Sequence, residues 1–355
     1  MKRFRSIVVA AFVVLSAVAF VLPTPPASAE SASLSIVPKK SYTIEPGKSV
    51  KDTLTIRNLD AEDTLQLTLR VIDFTYTDDG GTPKLMLAED APQTTWSLKP
   101  YLSLPKTLTI APKTSKTVDM RVTMPADHGA GSYYSAILYS TGAPDGGNVG
   151  LSASGVTLVF ASIPGAVDED LSLEKFGAYT APQGDKKGSY FNFSTQMPRT
   201  IAYTLKNEGN VTEAPVGSIT LKHMFGEEQV IKDVNPNKSL ALIGQTRTFT
   251  ACIKLESEEV DFNGSASQTV ACSEPSLLPG LYTASLDMFY GQNGNNTEEL
   301  HSTSYFWYLP VWFIIISVIV LLLIAYFVWR IVRQVKRIRN RGGARPKKSS
   351  ARRRR

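Results

Sequence analysis

Cysteine is scarce in this chain of 355 residues, which contains only Cys252 and Cys272. So few cysteines exclude the disulfide-dense framework of small secreted domains, and they exclude thiolate-rich zinc sites. Both cysteines lie in a region that we expect to be exported, where disulfides persist, so the sequence predicts a Cys252–Cys272 bridge. It would close a loop of about 20 residues.

The residues before Cys252 indicate where this bridge lies. Phe249, Ala251 and Ile253 recur at every second position, as on the inward face of a strand, and Cys252 falls on the opposite face. We therefore expect the disulfide to lie at the surface of the sandwich. The polar segment 256–268 is interpreted as a loop between two strands, whose ends this disulfide holds together.

Histidine is also rare, and no catalytic constellation is visible. His128, His223 and His301 stand apart from one another and from any nucleophile with an orienting acid. The chain has no His-Glu-x-x-His helix, no glycine-rich phosphate loop and no calcium-loop motif. The sequence predicts that the protein is not an enzyme and has no catalytic residue, metal ligand or cofactor.

Helical periodicity is missing between residues 33 and 304. Apolar residues instead alternate with polar ones, as in the segments 50–57 and 117–124, and turns rich in Gly, Pro and Asn separate the runs. About 275 such residues exceed one immunoglobulin-like unit of roughly 100. The predicted fold is an all-β ectodomain of two tandem immunoglobulin-like β-sandwiches, followed by one transmembrane α-helix.

The boundary between the sandwiches is predicted near Pro164-Gly165, where a strand-like run gives way to an acidic cluster. The first sandwich would span residues 30–167 and the second 168–304. Each contains a strand that ends in an Asn-containing turn, at 54–60 and at 203–210. This similarity hints at a shared topology, although two generic strand-turn units would produce the same pattern.

Long apolar runs occur twice. The first, 7–22, follows three basic residues and precedes a small-residue site, so residues 1–29 are predicted to be a cleaved signal peptide. The second, 308–329, has 22 residues without a charge, enough to cross a bilayer. With aromatic residues at both ends, 305–329 is predicted to be a transmembrane helix with an outer aromatic belt.

The charge is distributed very unevenly. Residues 330–355 carry 13 Lys or Arg and no acid, which predicts a basic cytoplasmic tail beside anionic inner-leaflet lipid. Of the net charge of +6, the signal contributes +3 and the tail +13, which leaves −10 for residues 30–329. The exported part is therefore acidic, and nucleic acid is not expected as a partner. The predicted location is the plasma membrane, single-pass, with the N-terminal domains outside.

Two further motifs bear on processing. A sortase signal is missing, because Leu104-Pro105-Lys106-Thr107 is followed by Leu108 and lies far from the helix, so the helix should be retained. Asn-x-Ser/Thr sequons, which matter only in a host that glycosylates them, occur at Asn192, Asn210, Asn237, Asn263 and Asn295.

The stretch from about Leu34 to Ile163 carries several strand and turn motifs of a known family. They are Ile36-Val37-Pro38, Pro46-Gly47, Thr55-Ile56-Arg57-Asn58, Asp73-Phe74, Asp78-Asp79-Gly80, Pro125 and Gly129-Ala130-Gly131-Ser132-Tyr133-Tyr134. With these motifs the chain resembles the peptidoglycan-binding domain of the WxL-interacting protein family, which is immunoglobulin-like and found on bacterial cell surfaces. The family's layout of signal, two sandwiches, helix and basic tail is also similar. In the second half the match is limited to Asn207-Glu208-Gly209-Asn210 and Leu278-Pro279-Gly280-Leu281-Tyr282.

The resemblance implies that the first domain binds cell-wall peptidoglycan and that the second binds a surface protein partner. It transfers no binding residue, so the ligand-binding residues are unknown at this stage. Exposed aromatic rings often hold sugars, and Trp96, Tyr133, Tyr134 and Tyr139 are candidates, although aromatic residues in strands more often belong to the core. The leading hypothesis is a membrane-anchored adhesion or scaffold protein. The alternative is a single-pass receptor or an accessory subunit of an envelope complex.

Overall fold

The computed structural model describes residues 34–76, 82–88, 91, 93–141, 152–183, 186–226, 228–262, 265–291 and 298–342. Several sequence predictions fall outside these residues. They are the signal peptide, the turn 78–81, the sequons at Asn263 and Asn295, and the end of the basic tail. Within the described part, the chain forms two β-sandwiches and one long helix.

The first sandwich is built from eleven strands and a short 3-10 helix at Lys99–Tyr101. The strands are β1 (Leu34–Ser35), β2 (Lys39–Thr43), β3 (Ser49–Asn58), β4 (Leu65–Ile72), β5 (Phe74–Tyr76), β6 (Pro83–Leu85), β7 (Leu102–Ser103), β8 (Thr107–Ile110), β9 (Ser115–Thr123), β10 (Gly131–Thr141) and β11 (Ser152–Ile163). One sheet has the order β1-β3-β9-β7 and the other β2-β11-β10-β4-β8, while β5 and β6 form a small separate ribbon.

The second sandwich contains the next eleven strands, and the helix follows it. They are β12 (Leu171–Thr180), β13 (Ser189–Tyr190), β14 (Phe193–Ser194), β15 (Thr200–Asn207), β16 (Val216–His223), β17 (Glu228–Ile231), β18 (Thr246–Cys252), β19 (Leu255–Phe262), β20 (Ser265–Cys272), β21 (Gly280–Tyr290), β22 (Glu298–Tyr308) and α1 (Val311–Gly342). The two sheets have the orders β13-β12-β15-β18 and β14-β22-β21-β16-β17.

The two sandwiches share one topology. The five-stranded sheets correspond position by position, including a parallel edge pair, β2 with β11 in one and β14 with β22 in the other. The three antiparallel strands β1-β3-β9 likewise correspond to β12-β15-β18. The prediction of two tandem immunoglobulin-like sandwiches is therefore confirmed, and the similarity of the two Asn turns reflects a real equivalence.

Strand alternation explains each core. In β3 the buried residues Leu54 and Ile56 face the buried Leu67 and Leu69 of β4 across the sandwich. In the second sandwich, Tyr203 of β15 stacks on Phe249 of β18, with ring centroids 5.2 Å apart. Burying a side chain of this size contributes about 1.5–3 kcal/mol, so these apolar positions specify which face of each strand turns inward.

A third apolar cluster joins the two sandwiches. Strand β10 is buried on both faces, because its outer face packs with Phe74 and Phe160 and is reached by Leu242 of the second sandwich. Trp96 stacks on Tyr134 of β10 and lies against Gly244, with 3.7 Å between its ring and the position of a Cβ there. The joint is therefore a small hydrophobic core of its own.

Hydrogen bonds between the two sandwiches also hold this joint. The Ser132 amide donates to the Asn210 carbonyl at 3.0 Å, and the Thr212 amide donates to the Ser132 hydroxyl at 3.0 Å. Asn210 also donates its side-chain amide to the Ala130 carbonyl. The segments 129–134 and 207–210, both noted for their family resemblance, thus meet in space and hold the domains together.

The helix follows the second sandwich almost directly. Only Leu309 and Pro310 separate β22 from α1, and the Leu309 amide donates to the Ser194 carbonyl at 2.9 Å. By length and composition Val311–Arg339 could cross a membrane, and in its most apolar window no residue is buried against the protein.

The start of the helix differs from the sequence prediction. The aromatic residues 305–308 belong to β22, where Phe306 and Tyr308 are buried in the core while Tyr305 and Trp307 are exposed. Pro310 has no amide to continue the strand ladder, and its carbonyl accepts the first helical bond from Ile314 at 3.2 Å. The outer aromatic belt is thus mostly sandwich rather than helix.

The segment after Cys252 also differs from its prediction. It is not a loop: β19 and β20 pair antiparallel from Leu255–Cys272 to Phe262–Ser265. Eight residues of each arm pair in continuous register, which makes the segment a two-stranded ribbon. The Cys252–Cys272 disulfide forms as predicted, with 5.2 Å between the Cα atoms, and it closes the base of this ribbon.

Candidate binding groove on the first sandwich

Three of the four candidate aromatic residues are engaged in packing. Tyr134 and Tyr139 are each 1% exposed, and the Tyr139 hydroxyl lies 3.1 Å from the Thr157 hydroxyl. Burial raises the pKa of both tyrosines. Trp96 is taken up by the joint between the sandwiches. A sugar would have no free ring face at Tyr134 and Tyr139, whereas Trp96 is partly exposed.

Tyr133 is the fourth candidate and is partly exposed. Its hydroxyl donates to the Gly129 carbonyl at 3.1 Å, and its ring lies edge-on to His128, with centroids 4.3 Å apart. His128 in turn lies edge-on to Tyr101 at 4.9 Å. The three rings brace the turn before β10, which is a structural role.

The histidines do not come together. His223 is buried against Tyr282 at the far end of the second sandwich from His128. His301 is exposed between Glu299 and Asp287, and hydrogen bonds to these carboxylates raise its pKa. Among the described residues, no group of three or more His, Cys, Asp or Glu side chains could hold a metal ion.

The outer face of the sheet β1-β3-β9-β7 carries an open groove of about 590 Å³. Strands β3 and β9 form its floor, and the segment that contains Ser103, Leu104 and Pro105 forms one side. Outward residues of both strands are polar, because the apolar ones point into the core. The groove is therefore a polar channel along a rigid sheet.

Two cations lie side by side in this groove. Lys51 of β3 and Arg121 of β9 are direct cross-strand partners, and both are exposed on the outer face. Cβ atoms of such partners are about 5 Å apart, and like charges placed opposite each other destabilise a sheet. Neither side chain has a hydrogen bond or ion pair to any other described residue. A basic pair without an ion-pair partner among the described residues favours binding of an anion, while Asp52 and Asp119 add two carboxylates to the same groove.

The neighbouring rungs supply hydroxyls and one carboxylate. Thr53 is paired with Asp119, and on the next rung the hydroxyls of Thr55 and Thr117 are 3.3 Å apart. Such a row offers hydrogen-bonding groups of both kinds at a spacing fixed by the strands. It can therefore exchange hydrogen bonds with a polar ligand.

A second cluster fixes the edge of the groove. Asp52 accepts hydrogen bonds from Lys40 and from the Tyr42 hydroxyl, each at 2.5 Å. The bond from Lys40, and after it the bond from Tyr42, lower the pKa of Asp52 to about 2, so this carboxylate stays charged. Burial, and then Asp52, raise the pKa of Tyr42. These contacts tie β2 to β3 across the edge of the sandwich.

The second sandwich has a groove of its own, of about 570 Å³, on the outer face of β12, β15 and β18. It is lined by Tyr179 and Tyr190, whose rings meet edge-on with centroids 4.9 Å apart. The Tyr190 hydroxyl lies 2.7 Å from that of Thr204. Tyr179 is 3% exposed, so the accessible part of this groove is the partly exposed Tyr190 with its neighbouring threonines, which is suited to a protein contact.

Sequence reasoning did not identify the basic pair. The alternation in 50–57 and 117–124 places Lys51 and Arg121 on the outward faces of their strands. Only the register, in which Lys51 meets Arg121 across a separation of 70 positions in the chain, brings them together.

Comparison with known proteins gives no family assignment. No family model matches the chain, and no curated protein matches it. Solved structures that are similar include a chain of a chaperone–tip adhesin complex of CFA/I fimbriae (TM-score 0.35, 11% identity, 79% of this chain and 100% of that chain). The E. coli chaperone DraB has a TM-score of 0.31 at 11% identity, and covers 76% of this chain and 98% of its own. The complex of Salmonella enterica SafA pilin with the SafB chaperone has a TM-score of 0.32 at 8% identity, over 77% of this chain and 97% of that chain. At these TM-scores the likeness carries no information about function.

Proposed function

We propose that this protein is a membrane-anchored surface scaffold whose first sandwich binds cell-wall peptidoglycan and whose second binds a surface protein. The observation that carries the proposal is the two-residue connection between β22 and a helix long and apolar enough to span a membrane. Thirteen basic residues after Trp329 favour a cytoplasmic C-terminus. Both sandwiches then lie outside the cell.

The geometry of the second sandwich supports a role as spacer. Strand β22 has 11 residues and so is about 35 Å long at the usual strand rise. Its first residues lie at the end of the sandwich where the Gly291 amide contacts Glu213, and Glu213 pairs with Ala241 beside the joint. The first sandwich is therefore carried away from the bilayer, toward the wall.

The Lys51–Arg121 groove supports the choice of peptidoglycan, which the family resemblance implies. Peptidoglycan is a long polymer that carries hydroxyls and peptide carboxylates. An arginine and a lysine that form no ion pair with any described residue are suited to bind such carboxylates, and Arg121 can do so in a bidentate manner.

Co-sedimentation with insoluble peptidoglycan tests the proposal. Full-length protein in detergent should be retained, and the variant K51E/R121E should lose most of its binding because two attractive charges become repulsive. A matched control is K84E/K99E, which changes the same charge at exposed positions outside the groove. Retention should fall as salt rises, since exposed charges are screened. Equal retention of all three proteins would reject the groove as the binding site. No retention of the wild type would reject peptidoglycan as the ligand.

A second candidate function is that of a receptor or accessory subunit. The observation that favours it is the unbroken α1, which continues for 13 residues beyond Trp329, about 20 Å at 1.5 Å per residue. A stiff helix joined to a rigid sandwich can transmit a movement. Capture of a specific cytoplasmic protein by the full chain in nanodiscs, lost when residues 330–355 are scrambled, would support this role. Contact of the tail with anionic lipid alone would argue against it.

A further inference from the structure

The strand order defines which end of the second sandwich faces the helix. Strand β22 ends at Tyr308, and Gly280 at the start of β21 is its partner on that rung. His223, the last residue of β16, pairs with Tyr282 at the same end. The turn after β16 and the segment before β21 therefore lie beside the origin of α1.

These two connections expose large apolar side chains. Phe225 is 82% exposed and Met224 49% exposed in the turn after β16, and Leu278 is 61% exposed just before β21. Phe193 and Trp307, which are partners in the parallel pair of β14 and β22, are also exposed. We name these five residues the apolar rim.

The other large exposed apolar residues among those described in the second sandwich are Tyr305 on β22, two positions before Trp307, and Val230 and Leu255 on β17 and β19. Those of the first sandwich do not gather in this way. Among the described residues of the first sandwich, the large exposed ones are Val37, Leu59 and Leu87, which lie far apart in the chain and in different connections. A cluster of exposed apolar groups at one end of a domain marks an interaction site, whereas scattered ones are ordinary.

The position of the apolar rim identifies its partner. The rim surrounds the point where the chain leaves β22 and enters α1, and Trp312 in the first turn of that helix is 56% exposed. With only Leu309 and Pro310 between strand and helix, the rim cannot lie far from the level at which the helix enters the bilayer. Trp and other aromatic side chains are favoured in the membrane interface.

We propose that the apolar rim seats the second sandwich on the outer lipid surface. Phe225, Met224 and Leu278 enter the interfacial layer, while Trp307 and Phe193 contact it from the side of β22. The sandwich is thereby held upright instead of swinging about the two-residue connection. This inference rests on the proposed membrane anchor and adds a lipid-binding surface to it.

Spin labels that report their depth in the bilayer test whether the apolar rim contacts the lipid. Full-length protein with the native disulfide intact is labelled at one added cysteine, Phe225→Cys or Leu278→Cys, and reconstituted in nanodiscs. The nitroxide accessibility to a water-soluble nickel complex should be several-fold lower than at the control Leu59→Cys in the first sandwich, and accessibility to oxygen should be higher.

A third label separates the possible outcomes. Leu322→Cys lies in the middle of the apolar helix and reports whether the helix spans the bilayer. If this label is deep while those at Phe225 and Leu278 are as accessible to nickel as that at Leu59, the seat is rejected and the anchor stands. If Leu322→Cys is itself accessible to nickel, the anchor is rejected.

Discussion

The side chains of Asn58 and Asn207 make equivalent hydrogen bonds in the two sandwiches. Each lies at the end of a central strand, is at most 1% exposed, and accepts a bond from the amide two residues further on, at 2.9 and 3.0 Å. Each donates to a carbonyl in the following turn and to one in a segment distant in the chain: Asp63 and Ile110, the last residue of β8, for Asn58, and Val211 and Ala241 for Asn207. The two amides thus lock the same corner of the same fold.

Removing either amide should destabilise the sandwich that contains it. We expect N58A and N207A each to lower the free energy of unfolding by about 2–4 kcal/mol, because buried carbonyls lose their donors. Denaturant unfolding measures the loss. The control N237A removes an exposed amide and should change stability little. Similar stability for N58A, N207A and N237A would show that the corner is not held by these bonds.

The buried carboxyl of Glu213 should make the free energy of unfolding depend on pH. It is 1% exposed, and its Oε1 has no partner while Oε2 accepts a bond from the Gly291 amide at 3.2 Å. Burial raises the pKa of this carboxyl from 4.5 to about 7. Between these values the folded protein keeps a proton that the unfolded chain has lost. Stability contributed by this group should therefore fall as pH rises from about 4.5 to about 7, by on the order of 2–3 kcal/mol.

The variant E213Q tests this prediction, because glutamine keeps the size of the side chain and does not titrate. Thermal unfolding between pH 4.5 and 8 should show a weaker decline with pH for E213Q than for the wild type. E298Q, at an exposed position of β22, should retain the wild-type dependence. Parallel curves for E213Q and the wild type would assign the pH dependence to other groups.

The joint between the sandwiches should be sensitive to a side chain at Gly131, where the two backbones come close together. Its φ is +142°, and a Cβ at this position would lie 2.6 Å from the Asn210 carbonyl oxygen. We expect G131A to cost about 1–3 kcal/mol and to open the joint, because the backbone of one sandwich must withdraw from the other. Hydrogen exchange at the amides of Ser132 and Thr212 should accelerate.

Gly129 provides the matched control for this substitution. A Cβ there meets the Tyr133 hydroxyl at 3.8 Å, which is an ordinary contact. G129A should therefore leave exchange at both amides unchanged. If G131A also leaves it unchanged, the joint does not depend on the close approach of Gly131 to Asn210.

The disulfide should stabilise the ribbon more than the core. Cys252 and Cys272 are 20 positions apart, so the bridge contributes at most about 3 kcal/mol by restricting the unfolded chain. We expect C252S/C272S to lower the unfolding temperature and to loosen β19 and β20, while Phe249 and Ala251 remain buried. Reductant should reproduce this shift in the wild type and have no effect on the variant. An unchanged unfolding temperature would show that the ribbon contributes nothing to the cooperative unit.

Some of the sequence predictions had to succeed because they rest on local periodicity. Alternation in β3 and β9 was enough to assign Leu54, Ile56, Val118 and Met120 to the core, since one face of a strand must be buried. The apolar run after Pro310 was likewise enough to indicate a spanning helix. The two cysteines left a single possible pairing.

Other features depend on which distant strands pair, and local patterns carry no signal for that. The residues 305–308 are aromatic whether they lie in a helix or a strand, and their pairing with Gly280–Tyr282 and Phe193 made them strand. In the same way, the polar segment 256–268, predicted as a loop, became a ribbon only through the pairing of its two halves.

By itself the sequence determined the β-sandwich class, the inward faces of the strands, the bridge and the presence of an apolar helix, because each follows from residues near one another in the chain. The tertiary structure alone decided that Lys51 meets Arg121, that Ser132 meets Asn210 and that Phe225 lies beside the start of α1. The first two contacts join residues 70 and 78 positions apart, and Phe225 precedes the start of α1 by 86 positions, so all three depend on strand register and packing.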